Sequence, residues 1–441
     1  MKYSKEQQEA INTIDGQVCI ISVAGSGKTS VIVARANNII KSGVRPYRIL
    51  VLTFSKAAAV QMADRYKMQY GSDGIRFSTI HSLCYSVLAR AYNLKAEDIL
   101  SEAGRLKFFT EFHRQLLYKR VSGVPDDFDE YYRKCNEYIN SMAVGTADNQ
   151  ESKSSSKAYL EITFSQYKEF KKNNKKLDFD DMILYCHKCL SSNKKELEYW
   201  QGIFDYIMVD EFQDTGTLQA EIIYMVADLR KNVCVVGDDD QSIYSWRGAE
   251  IENILKFTED FPEAVTIRLE RNYRSVANIL TAASAVISHN TKRLGKTLRV
   301  AEHSPVSSCN NEKIKVVSTY SGDDEAKYIT QEIQRLKYND FDYEQMAVLV
   351  RTASQTRAFE ECFIKEGIPY KVVGGLKFYE RAEIRDMLAY FRLVLQPSDD
   401  LAFERIINKP ARGIGEKTID KFRNRAKADA IPLYQAMVSM T

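Results

Sequence analysis

Residues 16–40 read GQVCIISVAGSGKTSVIVARANNII. An apolar, β-branched run ends in a glycine-punctuated turn, and a segment of helical period follows. In AGSGKT (24–29) the glycines at 25 and 27 let backbone N–H groups turn inward at a helix N-terminus, which makes a cradle for phosphate. Lys28 brings a point charge toward the outer phosphates of a triphosphate, and Thr29 a hydroxyl for Mg²⁺. The strict pattern for such a loop places glycine at 22, where this chain has Ser22. A glycine turn before an ordinary helix is the competing reading.

The rest of the chain bears on that choice. YRILVLTFSKAAAVQMADRY (47–66) repeats the strand–turn–helix form, and FDYIMVDEFQ (204–213) and KNVCVVGDDDQ (231–241) are apolar strands ending in acids. Strands alternating with helices predict a parallel sheet whose ligands collect beyond the carboxyl ends of its strands. Asp210 and Glu211 follow the apolar run YIMV, and adjacent carboxylates on a strand end point to different sides. Asp210 is thus expected in the shell of a magnesium ion, with Glu211 orienting or deprotonating an attacking water. In VGDDDQSIYSWRGA (236–249), Tyr244 and Trp246 are two apart beside Arg247, so on an extended loop both rings face one way and stack on successive bases.

Length and composition set wider bounds. A chain of 441 residues predicts two to four domains. A net charge of +3, from 62 basic and 59 acidic residues, neither demands nor excludes nucleic acid, since a basic groove can be offset by acidic faces elsewhere. No run of about 18 apolar residues indicates a membrane span. The eight cysteines are scattered, several in apolar runs, which fits reduced thiols in a cytoplasm. Cys186 and Cys189 have metal-like spacing without a second pair nearby, and DDMILYCHKCL (180–190) reads as an amphipathic helix instead. From about 89 to 201 the pattern is helical, aromatic and charged, with a break at ESKSSSK (151–157) and a basic run KKNNKK (171–176) read as a solvated face. KIKVVSTY, DEAKYITQEIQRL, QMAVLVRT, SQTRAFEECFIKEGI and PYKVVGG (313–375) alternate strand and helix again, and the tail from about 381 is helical.

Taken in order, these segments resemble the superfamily 1 DNA helicases of the UvrD/PcrA/Rep type. KEQQEAI (5–11) is similar to the family's adenine-reading glutamine motif, with Gln7 the better match and Gln8 the fallback. AGSGKT resembles motif I, TFSKAAAVQM (53–62) motif Ia, and STIHSL (78–83) the threonine-rich motif after it. LDFDDM (177–182) resembles a further signature, VDEFQDT (209–215) and VGDDDQSIYSWRGA motifs II and III, and LERNYRS (269–275) motif IV. GGLKFYERAEIRDMLAYFRL (374–393) and DLAFERIINKPARGIG (400–415) look like later family segments.

The resemblance implies an α/β fold: two RecA-like P-loop NTPase domains with parallel sheets, plus helical inserted subdomains. The expected boundaries are 1–88 with 202–280 for the first core domain and 89–201 for the helical insert. An incomplete second core follows at 281–380, then the start of a helical accessory domain at 381–441. ATP and Mg²⁺ are implied, with the nucleotide between the two α/β units, bound by Gln7, Ala24, Gly25, Ser26, Gly27, Lys28, Thr29, Ser30, Arg35 (beside the base), Tyr273 (stacked on it) and Arg274. Thr29 and Asp210 would hold the metal. Lys28, Glu211, Gln241 as γ-phosphate sensor and Arg274 as arginine finger would carry hydrolysis. Phe54, His81, Tyr244, Trp246 and Arg247 match positions lining a single-strand path, and Gly413 and Gly415 a helix-hairpin-helix turn for duplex phosphate.

The function implied is ATP-dependent 3′→5′ helicase or single-stranded DNA translocase, in repair or recombination, acting as a cytoplasmic monomer on single strands and their junctions with duplex. Complete relatives continue with a segment carrying threonine, histidine and a lysine–glycine pair, then a motif with a second arginine finger, and neither occurs before Thr441. The chain is therefore expected to be the N-terminal portion of a longer motor. The alternative is a truncated module that binds ATP and single-stranded DNA with little or no motor activity.

Overall fold

The computed structural model describes residues 3–71, 74–144, 158–244, 248–291, 293–301, 312–373, 382–410, 412–429 and 431–440. The chain divides into two compact units, Met1–Ile314 and Lys315–Thr441. The architecture is α/β, organised in the first unit by a six-stranded parallel sheet.

Its strands are β1 (Gln17–Ser22), β2 (Ile49–Thr53), β3 (Arg76–Thr79), β4 (Tyr206–Val209), β5 (Val233–Gly237) and β6 (Val265–Leu269). They lie in the order β3-β2-β4-β5-β1-β6. Parallel strands buried on both faces carry continuous apolar runs, and β1, β2 and β5 do so. Alternate side chains then serve opposite faces. Cys19, Ile21, Leu50, Leu52, Val233 and Val235 enter one core, which includes Trp200 and Phe257. Val18, Ile20, Val51, Met208, Cys234 and Val236 enter the other, with α1 (Lys5–Asn12), α2 (Lys28–Lys41) and α3 (Lys56–Tyr70). Cys186 and Cys189 are buried in the first of these cores.

Between β3 and β4 the described chain is helical, beginning with α4 (Ile80–Tyr92). Helices Glu102–Tyr118, Phe128–Val144 and Ala158–Asn173 enclose a core of their own built on Phe109, Tyr131, Tyr159 and Tyr167. The basic run is partly engaged, since Lys171 bonds Asp178 at 2.7 Å and Asp181 at 2.6 Å. Asp178 caps the next helix, Phe179–Ser192.

The second unit is held by helix-on-helix contact. Ala326 and Ile333 of Gly322–Tyr338 meet Phe359 and Phe363 of Thr356–Lys365. KIKVVSTY, QMAVLVRT and PYKVVGG, read from sequence as strands, form no ladder among the described residues, and Val316, Leu349 and Val373 stand exposed. A β-branched run becomes a strand only when neighbouring backbone takes up its N–H and C=O groups, so propensity alone did not decide these segments.

Candidate functional site

The order of the sheet is what gathers the chemistry. β4, β5, β1 and β6 are consecutive neighbours, so the segments leaving their carboxyl ends share one edge. β1 leads into the glycine loop, β4 into Asp210 and Glu211, β5 into Asp238–Gln241, and β6 into LERNYRS.

The glycine loop is built as a close-packed turn. Gly25 and Gly27 have φ of 67° and 84°, and Gly27 opens α2. A methyl group at Gly25 would lie 2.6 Å from Asn272 Nδ2 and 2.8 Å from Arg274 Cβ, so glycine is required there by space as well as by backbone. Ser22, the departure from the strict pattern, is fully buried and donates its Oγ–H to the Gly237 carbonyl at 2.9 Å. It ties the glycine-loop strand to β5. Ser26 Oγ is buried and has no hydrogen-bond partner among the described residues, an orphan that a phosphate oxygen would satisfy. Of the other loop candidates, Thr29 and Ser30 are half-buried on the first turn of α2, and the Ala24 carbonyl accepts a hydrogen bond from Asn272 at 2.5 Å.

Lys28 Nζ pairs with Glu211 Oε2 at 2.8 Å. Glu211 has a left-handed backbone, φ 52° and ψ 45°, a conformation that costs a non-glycine residue about 1–3 kcal/mol and concentrates at functional sites. Burial opposes ionisation of Glu211, but the Lys28 ammonium and the Gln213 amide hold its carboxyl below the usual carboxylate range. Burial and the Glu211 charge together push Asp210 up to about 6, and the same causes push Asp214 up to about 6. Three carboxylates thus crowd one lysine, and Asp214 Oδ1 has no hydrogen-bond partner among the described residues. That excess of negative charge suits a divalent cation, which Thr29 and Asp210 would hold.

Two bridges complete this edge. Gln213 donates to Glu211 Oε2 at 2.8 Å and accepts from the Asp238 amide at 2.9 Å, joining the loops after β4 and β5. Gln241 donates to Asp238 Oδ2 at 2.5 Å. Asn272 donates to the Ala24 carbonyl and accepts from the amides of Arg274 and Ser275 at 2.8 and 2.7 Å, while the Tyr273 amide donates to the Gly25 carbonyl at 2.9 Å. The exposed Arg274 is thereby held beside the glycine loop. A cavity lined by Ser4, Glu6, Gln7, Ser26, Leu269, Glu270, Arg271 and Tyr273 lies against it. Gln7, whose Nε2 donates to the Ser26 carbonyl at 2.9 Å, is on one wall, and Gln8 bonds Asn12 on the exposed side of α1. Arg35 is buried and donates to the carbonyls of Ala10 and Ile14 at 2.7 and 3.0 Å. These bonds seat α1 against α2.

On the other side of β5, Phe54 and Tyr244 stack with ring centroids 5.0 Å apart and planes at 18°. His81 meets Phe179 edge-on at 5.4 Å, and burial lowers its pKa from the usual histidine value. Phe179 is 46% exposed and Phe54 38%, unusual for phenylalanines. Trp246 and Arg247 lie outside the described residues. Gly413 and Gly415 form an exposed turn in the second unit, with no described atom near the place a Cβ would take at either.

Gln213, Asp214, Asp238, Asn272 and Phe179 were not singled out from sequence. The first two stand inside VDEFQDT, Asn272 inside LERNYRS and Phe179 inside LDFDDM, so the motifs pointed at them without showing their partners.

Residues 3–262 match the UvrD/REP helicase N-terminal domain and residues 267–440 the UvrD-like helicase C-terminal domain. The chain is 40% identical over 445 residues to a probable DNA helicase II homolog of Rickettsia conorii, covering 99% of this chain and 67% of that protein. It is 37% identical over 452 residues to the ATP-dependent DNA helicase PcrA of Staphylococcus epidermidis, covering 99% of this chain and 60% of that one. The PcrA of Staphylococcus aureus is also 37% identical, over 447 residues and 59% of its length. The chain thus spans between 59% and 67% of the length of these curated relatives. With both domain models matched in order along a chain whose motif loops share one sheet edge, the protein belongs to the UvrD-like helicase family.

Proposed function

We propose that the chain is the ATP-hydrolysing, DNA-gripping portion of an ATP-dependent DNA helicase that moves on single-stranded DNA. The observation that carries this reading is one hydrogen-bonded path: Lys28 to Glu211, Glu211 to Gln213, Gln213 to Asp238, and Asp238 to Gln241. Tyr244, stacked on Phe54, follows three residues later. Phosphate-facing and base-facing groups are thus on one short segment after β5.

The chemistry follows from the charges. Lys28 and Glu211 neutralise one another at 2.8 Å. A triphosphate drawn into the glycine loop competes for Lys28 and releases Glu211 to orient and deprotonate water. Magnesium, held by Thr29 and Asp210, would supply Lewis-acid polarisation of the phosphoryl oxygens. Arg274 neutralises charge building on the transferring group, and Gln7 and Tyr273 hold the base. Gln241 reports the γ-phosphate through Asp238 to the segment carrying Tyr244. A base entering the strand path has to part the Phe54–Tyr244 stack, and stacking holds any base at about 1–3 kcal/mol. The 3′→5′ sense and a role in repair or recombination rest on the family resemblance. The intact path around Glu211 favours a hydrolase over a module that only binds.

Steady-state ATP hydrolysis with and without single-stranded DNA tests this. DNA is expected to raise turnover, and Lys28→Ala to abolish it. Equal, DNA-indifferent rates in parent and Lys28→Ala would remove the proposal.

A further inference from the structure

Lys296 has no part in the motifs above, yet it is among the most enclosed charges in the described protein, with its side chain 2% exposed. It lies in TKRLGKT (291–297), beyond helix Ala277–Ile287, and its ammonium contacts all three aspartates after β5. Lys296 Nζ bonds Asp238 Oδ1, lies 2.5 Å from Asp239 Oδ1 and 3.5 Å from Asp240 Oδ2. Arg293 grips Asp240 with two bonds, at 2.7 and 2.9 Å, and the Leu294 amide donates to Asp239 Oδ2 at 2.9 Å.

A buried lysine against three carboxylates is costly to desolvate and is a poor means of adding stability, so its value is sought in what it fixes. Asp238 is the junction. One of its oxygens takes Lys296 and the other takes the Gln241 amide, while its backbone N–H meets Gln213, which holds Glu211. The first oxygen also accepts from the Asp240 amide at 3.2 Å, so losing the cation leaves that longer bond to set Asp238, and the bearing of Gln241 loosens.

We infer that Lys296, with Arg293 in support, is a positioning residue that clamps the Asp238–Asp240 turn so that Gln241 faces the γ-phosphate. The inference rests on the hydrolase reading above. The clamp acts on turnover and leaves nucleotide capture alone, because Gln7, Tyr273 and the glycine loop are held by other contacts.

The test compares the parent chain with Lys296→Arg, Lys296→Met and Lys296→Met/Asp239→Asn, the last removing a cation and an anion together so that the fold is kept. ATP turnover and KM are measured alongside amide hydrogen exchange over 238–242 and over β1 and β4. In the double variant turnover is expected to fall by about tenfold to a hundredfold, the scale of an ångström's misplacement at a reacting group. KM is expected to stay within about threefold, the signature of an interaction felt beyond ground-state binding. Exchange should quicken at 238–242 with β1 and β4 unchanged, and Lys296→Arg should recover most of the turnover. Parental turnover in the double variant would overturn the inference, as would exchange that quickens throughout the sheet, which marks a merely structural ion pair. A parent that hydrolysed no ATP would sink the hydrolase reading instead, while exchange at 238–242 would still decide the clamp.

Discussion

Replacing Glu211 by glutamine is expected to lower ATP turnover by about 10²–10⁴-fold, the contribution a positioned general base makes. ATP affinity should survive, because Lys28 loses a competing anion when Glu211 is neutralised. Glutamine keeps the length and an acceptor for Gln213 but cannot take a proton from water. Single-turnover hydrolysis beside titration with a non-hydrolysable analogue separates the two effects. A rate within a few-fold of the parent's would mean that the water is activated elsewhere and that the strained backbone at Glu211 has another cause.

The second large effect is expected at Gly25. Alanine there has to adopt φ 67° and press its methyl group to 2.6 Å from Asn272 Nδ2. Left-handed strain and overpacking together amount to about 2–6 kcal/mol. The side chain displaced is the one that fastens the amides of Arg274 and Ser275 beside the glycine loop, and Tyr273 bonds the Gly25 carbonyl itself, so nucleotide affinity should fall together with Tm. Gly43→Ala is the control, since it also has positive φ, at 100°, but nothing within 4 Å of the added atom. Its cost should be confined to backbone strain, with ATP affinity intact. Parental Tm and affinity in Gly25→Ala would contradict the packing described.

The sequence was most informative where local pattern and chemistry coincide. The run VCIIS, its glycine turn and the helix after it are decided within some 25 residues, and the acids after YIMV declare themselves by following an apolar strand. Which loops come together was legible only as a rule about parallel sheets, and the strand order β4-β5-β1-β6 made it specific. Residues whose roles depend on distant partners were not legible. Asn272 is an ordinary asparagine until β6 pairs with β1 and brings it against Ala24, and Lys296 an ordinary loop lysine until it meets aspartates more than fifty positions earlier. Ser22 looked like a flaw in the motif and is a strand-to-strand tie. The resemblance puts Arg35 beside the base, and only the structure shows that its bonds also seat α1. In the second unit, β-branched composition alone indicated strands where no ladder forms among the described residues.

The most direct test is a crystal structure of this chain with a non-hydrolysable ATP analogue and Mg²⁺. The base is predicted between Gln7 and Tyr273, the phosphates within the amides of residues 24–29, and Lys28 drawn from Glu211 onto them. A nucleotide bound elsewhere, or one bound with the 2.8 Å Lys28–Glu211 contact unbroken, would contradict the account.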